Sequence, residues 1–146
     1  MNSKDFVYWI NVIRLSTSSC NVRICSEKNL PDELNGLYIC NIDDKHWIVL
    51  MQCKNTPLQY FDPLGYRKTR LLIKYSRHGS LISMVKLQDS SSNDCGYFCL
   101  MYTILRLKFN RTMFASLYQL LVHKENMCQF NILKSCILKK SNNFLQ

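Results

Sequence analysis

Residues 36–65 read GLYICNIDDKHWIVLMQCKNTPLQYFDPLG, and three runs inside this stretch set the fold. Leu37 to Ile42 is short and apolar. Trp47 to Cys53 is rich in β-branched and aromatic residues, and Leu58 to Phe61 forms a third run. Runs of this composition, bounded by turn residues, read as strands. Asn41 to Lys45 is polar and closes a tight connection, and Lys54-Asn55-Thr56-Pro57 is a turn. Connections this short join antiparallel neighbours, so an antiparallel meander is expected. Just upstream, Leu30 to Gly36 reads as a turn, with Asn35-Gly36 as its strongest signal.

Outward from the meander the pattern alternates. Lys68 to Arg77 carries Leu71, Leu72 and Tyr75 at the spacing of a short amphipathic helix, ended by His78-Gly79. Leu81 to Leu87 reads as a fourth strand, and Asp89 to Asp94 as a polar loop. From Cys95 the period becomes helical. Phe98, Cys99, Tyr102, Leu105 and Phe109 share one stripe, which Leu100, Met101 and Ile104 widen, so this helix is expected to be buried on most sides. Thr112 to Lys124 and Gln129 to Lys139 read as further helices, while Lys4 to Leu15 fits a helix or a strand. The expected class is α+β: a small, mostly antiparallel sheet packed with helices.

The chain has 146 residues, room for a single domain over 1–146 with one core, and 47% hydrophobic residues can fill that core. Four Gly and three Pro argue against a disordered or fibrous chain. No apolar run reaches the roughly 18 residues of a membrane span. Phe6 to Ile13 is apolar but short, broken by Asn11, and lacks a small-residue cleavage site, so neither a signal peptide nor a membrane contact is expected. The eight cysteines lie among Leu- and Ile-rich segments, which favours buried free thiols of an intracellular, reducing compartment over a disulfide scaffold. Asn110-Arg111-Thr112 is a glycosylation sequon, read as chance without a secretory signal. The net charge of +9 favours contact with polyanions, nucleic acid first, against the plainer reading of a generally basic surface. Its mild concentrations are Arg67 to Arg77 and Lys134, Lys139 and Lys140.

Four side chains form a candidate site. Cys95 follows the polar loop and opens a helix, with Asp94 or Asn93 placed as N-cap. The positive end of the helix dipole favours its thiolate, and Gly96 lets the backbone approach so that the Cys95 amide can face a developing oxyanion. His46 stands at the start of a strand beside Trp47, a packing residue that shields the imidazole. If the two strands flanking residues 54–57 pair as a hairpin, Asp62 at the end of one becomes the neighbour of His46 at the start of the other. A carboxylate there would hold the imidazole tautomer and stabilise the imidazolium. Gln88 ends the strand before the cysteine loop, where its amide can donate to the oxyanion. Singly, each has a plainer reading: a buried structural thiol, a surface or core histidine, a turn aspartate before proline, a polar strand end. Together they supply the nucleophile, base, orienting group and donor of a cysteine hydrolase.

His46-Trp47, Phe61-Asp62-Pro63-Leu64-Gly65 and the interval from Gln88 to Cys95-Gly96 resemble the motifs of the adenovirus endopeptidase (adenain) family, which shares a clan with SUMO-specific proteases. The likeness runs from Leu30 to about Lys124, roughly two-thirds of the chain. Leu30-Pro31 and Cys95-Gly96-Tyr97-Phe98-Cys99 are most similar to proteases of adenovirus-like DNA viruses and Polinton-type elements, and the Gln-to-Cys interval is the viral one. The resemblance implies the adenain/SUMO-protease fold and makes Cys95 the nucleophile, His46 the general base, Asp62 its orienting partner and Gln88 the oxyanion donor. It further implies peptide hydrolysis through a thioester after a small residue such as Gly, in viral precursor proteins. The setting would be the host nucleus or cytoplasm, or the virion. No cofactor is needed for the chemistry, with DNA as a candidate activator. Adenovirus members bond an activating peptide through a cysteine upstream of the Gln; Ile73 to Leu87 contains none, so that mode is not carried over.

Two other functions fit the same residues. One is an isopeptidase or processing enzyme for a ubiquitin-like modifier, with identical chemistry. The other is a non-catalytic, basic nucleic-acid-binding or metal-binding module. Against a metal, no paired CxxC occurs, and the spacings Cys20 to Cys25 and Cys95 to Cys99 suit zinc poorly, so no metal ligand is expected.

Overall fold

A computed structural model of the protein describes residues 2–14, 21–82 and 94–108. In chain order the elements are α1 (Ser3–Arg14), β1 (Val22–Ser26), a 3-10 turn (Glu27–Asn29), β2 (Gly36–Ile42), β3 (His46–Gln52), β4 (Leu58–Phe61), α2 (Thr69–Tyr75), β5 (Ser80–Ile82) and α3 (Cys95–Lys108). The class is α+β.

Strands β2, β3 and β4 form the expected antiparallel meander, with Ile42 paired to His46 and Val49 to Phe61. Its first turn places Asp43 and Asp44 both at positive φ, 53° and 57°, a conformation that short Asx side chains tolerate, and the Lys45 N–H closes on the Ile42 carbonyl at 3.1 Å.

The sheet as a whole is mixed, which corrects the expectation of a mostly antiparallel one. Its order is β1-β2-β3-β4-β5, and both outer pairs, β1 with β2 and β4 with β5, are parallel. Parallel neighbours need a crossover, and α2 supplies it between β4 and β5. At the other edge, β1 had no counterpart in the sequence reading. It docks beside Gly36, whose φ is 125° and where a Cβ would collide with the Asn21 carbonyl oxygen. The Leu37 N–H bonds that oxygen at 2.9 Å, so the glycine permits the close approach that starts the parallel pair.

Both sheet faces are covered. On one, Leu37, Ile39, Trp47, Val49, Met51 and Phe61 meet Phe6 of α1 and Phe98, Cys99 and Tyr102 of α3. On the other, Tyr38, Cys40, Ile48, Leu50, Leu58 and Tyr60 meet Leu71 and Tyr75 of α2. Burial on both faces explains why β2 and β3 read as continuous apolar runs without alternation. The ambiguity over Lys4 to Leu15 resolves as helix. The Asn2 N–H donates to Asp5 Oδ2 at 2.9 Å and the Asp5 N–H to Asn2 Oδ1 at 3.1 Å, a reciprocal cap at the start of α1.

Residues 83–87 of the expected fourth strand and the expected helices Thr112 to Lys124 and Gln129 to Lys139 lie outside the described residues.

Phe61 is fully buried and stacks on Tyr102 with ring centroids 4.4 Å apart and planes 11° from parallel. Phe61→Ala would remove that ring from the layer joining β4 to α3. We expect a loss of about 3–5 kcal/mol in unfolding free energy, read from the urea midpoint. A loss under about 1 kcal/mol would mean that the stack is not part of a packed core.

Candidate active site

The site is built at one end of the central strands. The register of β3 with β4, Val49 opposite Phe61, continues to place Asp62 opposite Ile48. Asp62 then lies diagonally from His46 on the same face, within reach of a long side chain. His46 Nε2 donates to Asp62 Oδ1 at 2.7 Å, as the hairpin argument required. Asp62 is 3% exposed. The same Oδ1 accepts the Leu64 N–H at 2.8 Å, and the Gly65 N–H reaches the Asp62 carbonyl at 2.9 Å. Asp62-Pro63-Leu64-Gly65 is therefore a hydrogen-bonded turn, with Gly65 at φ 73°. The expected turn at Asp62 is present, and within it the carboxylate faces the imidazole.

Cys95 is the first residue of α3. The Phe98 N–H bonds the Asp94 carbonyl at 3.1 Å, which makes Asp94 the N-cap and leaves the Cys95 and Gly96 amides among those a helix start does not pair internally. Cys95 is 7% exposed, and its thiol hydrogen-bonds His46. Since Nε2 is held by Asp62, Nδ1 is the imidazole nitrogen left for sulfur.

The electrostatics of the pair favour charge separation. Burial works against the imidazolium of His46, but the Asp62 and Cys95 hydrogen bonds and charges outweigh it and push the imidazole up to about 9. Burial likewise raises the Cys95 thiol, yet the His46 hydrogen bond, backbone hydrogen bonds at Trp47 and Gly96 and the imidazolium charge bring it below its ordinary value. Cys99, one turn on, is wholly buried and is pushed up by burial; its Sγ donates to the Trp47 carbonyl at 3.2 Å. The two thiols of one helix face are thus driven in opposite directions, Cys95 toward thiolate and Cys99 away from it.

Trp47 supports the site differently from the sequence reading. Its ring lies in the core on the α1 and α3 face, 4.6 Å from Phe6. What reaches the two cysteines is its backbone. The cue was strand alternation: neighbouring residues of a strand face opposite ways, so Trp47 and His46 diverge. Gln88 lies outside the described residues. His78 lines a separate cavity with Asp32, Gln52 and Tyr75.

Among the described residues no group of three or more His, Cys, Asp or Glu side chains is arranged to hold a metal ion. The five described cysteines, Cys25, Cys40, Cys53, Cys95 and Cys99, are free thiols. No described helix is long and apolar enough to cross a membrane. A scan against protein-family models and a search of curated proteins return no match for this chain.

Proposed function

We propose that this protein is a cysteine endopeptidase acting through Cys95, His46 and Asp62. The observation that carries the reading is the continuous array from the Cys95 thiol, through the imidazole, to the buried Asp62 carboxylate, with the thiol at a helix start. A lone buried cysteine or a lone turn aspartate needs no such array.

In this reading the resting pair is thiolate and imidazolium. The thiolate attacks the scissile carbonyl carbon, and the carbonyl electrons move to oxygen. The Cys95 amide, at the helix start, is one donor to that oxyanion, and Gln88 is proposed as the other. As the C–N bond breaks, the imidazolium gives its proton to the departing amine and a thioester remains. His46 then takes a proton from water, the resulting hydroxide adds to the thioester, and the acid leaves with the thiolate restored. Asp62 keeps Nδ1 directed at sulfur throughout. The resemblance to adenain-like proteases supplies the finer part of the proposal. Cleavage would follow a small residue such as Gly in viral precursor proteins, and the charge of +9 supports DNA as an activator. An isopeptide bond would be cleaved by the same steps.

Limiting iodoacetamide near neutral pH, followed by mass spectrometry, tests the array directly. Cys95 is expected to be labelled much faster than every other thiol, despite its burial. Half-buried Cys25 is the useful internal comparison, since a hydrogen bond from Cys40 lowers it too. His46→Ala is expected to erase the advantage of Cys95 and to leave Cys25 unchanged. Equal labelling of Cys95 in wild type and variant would remove the basis for the proposal.

A further inference from the structure

The imidazole has a second neighbour besides the nucleophile. A cavity of about 280 Å³ opens against His46 and Asp62, and Cys95 does not line it. Its floor is apolar, formed by Ile42, Ile48, Tyr60 and Leu64. Lys45, Arg67 and Lys68 line it too, with Asp43 as a second carboxylate beside Asp62, and Lys68 engages Asp43 at 2.8 Å. Tyr66, 61% exposed, lines it as well.

We infer that this cavity is the subsite for the leaving side of the substrate, taking an apolar side chain that is adjoined by an acidic residue. The inference rests on the protease reading, from which its direction follows. The group that gives a proton to the departing amine is His46, so the departing segment must run past the imidazole and not along the acyl side. The cavity begins where the imidazole meets Asp62, one ring and two hydrogen bonds from sulfur. That span corresponds to about two to three residues of extended chain. The side chain that reaches the cavity is therefore the second or third after the cut. An aliphatic side chain matches the floor, and Tyr66 offers the flat wall such a group would lie on. Three cations line the cavity against two carboxylates, one of which His46 holds, and this excess favours an adjoining Asp or Glu.

The test is a digest of a peptide library by the full chain, with sequencing of the new amino termini, since those termini are the leaving sides themselves. We expect several-fold enrichment of Leu, Ile, Val or Met at the second or third residue, with Asp or Glu beside it. Exchanging that residue for Ala in one cleaved peptide should lower kcat/KM about tenfold. Lys45→Glu combined with Arg67→Glu, both exposed positions, should abolish the acidic enrichment and retain the apolar one. Cuts with a flat leaving-side profile would overturn the subsite and leave the protease reading standing. A library without any cuts would overturn the subsite as stated, and the labelling of Cys95 decides separately whether the protease reading falls with it.

Discussion

Cys95→Ala is expected to reduce peptide hydrolysis to background, a loss of at least ~10⁴-fold in kcat, with the fold retained. The size follows from the chemistry. No other described thiol sits at a helix start against an imidazole, and Cys99 is fully enclosed with its sulfur bonded to the Trp47 carbonyl. Among the described residues no second thiol can therefore substitute within the site. Retention of the fold follows from how little is removed. The lost sulfur takes part in no β-ladder, and α3 is held by Phe98, Cys99, Leu100 and Tyr102 in the core beneath it. The expected cost is about 1 kcal/mol, a few degrees in Tm. Circular dichroism with thermal unfolding checks the fold, and a fluorescence-quenched version of a peptide cleaved by wild type checks activity. A folded variant that retains even one-tenth of wild-type activity would contradict the assignment, since no partial role for a nucleophile gives that result.

The meander and its consequence for His46 and Asp62 were legible because they rest on local rules: two short polar connections, and a hairpin that brings the ends of its strands together. Helices α2 and α3 were legible from periodicity. The edge strand β1 was not. Val22 to Ser26 is short, and its parallel pairing with Leu37 to Asn41 is a non-local event that no local pattern announces. One cue was available, since Asn35-Gly36 marks a turn and also the approach of Asn21 that a side chain would block. Helix α1 was ambiguous because its apolar residues suit either period, and the deciding signal was polar, the Asn2–Asp5 cap. Trp47 packs as expected, but not in the expected direction, for a different reason. Adjacency in sequence suggested that it shields His46, whereas strand geometry sends neighbours to opposite faces.

The clearest contrast within the array is between His46→Ala and Asp62→Asn. His46→Ala removes the proposed proton donor and the partner of the proposed thiolate, so a loss of at least ~10³-fold in kcat/KM is expected. Asp62→Asn keeps an oxygen that can accept the Leu64 N–H and preserve the turn, but it removes the charge. A loss of about 10–100-fold is expected, and the pH profile should change in a defined way. In wild type the rate should rise through a limb below the ordinary thiol value, where Cys95 ionises, and fall near 9, where the imidazolium loses its proton. The Asp62 hydrogen bond and charge both raise the imidazole, so their loss should move the falling limb down from about 9 toward 6.5. Stability should follow the same sign. The folded protein binds the His46 proton more tightly than the unfolded chain does. That contribution is complete below pH 6.5 and fades as pH climbs through about 9, and Asp62→Asn should flatten this slope. The measurements are kcat/KM and urea midpoints across pH 5–10 for both proteins. A falling limb that stays near 9 in Asp62→Asn would show that Asp62 does not set the imidazole. The array would then reduce to a cysteine–histidine pair beside a structural turn.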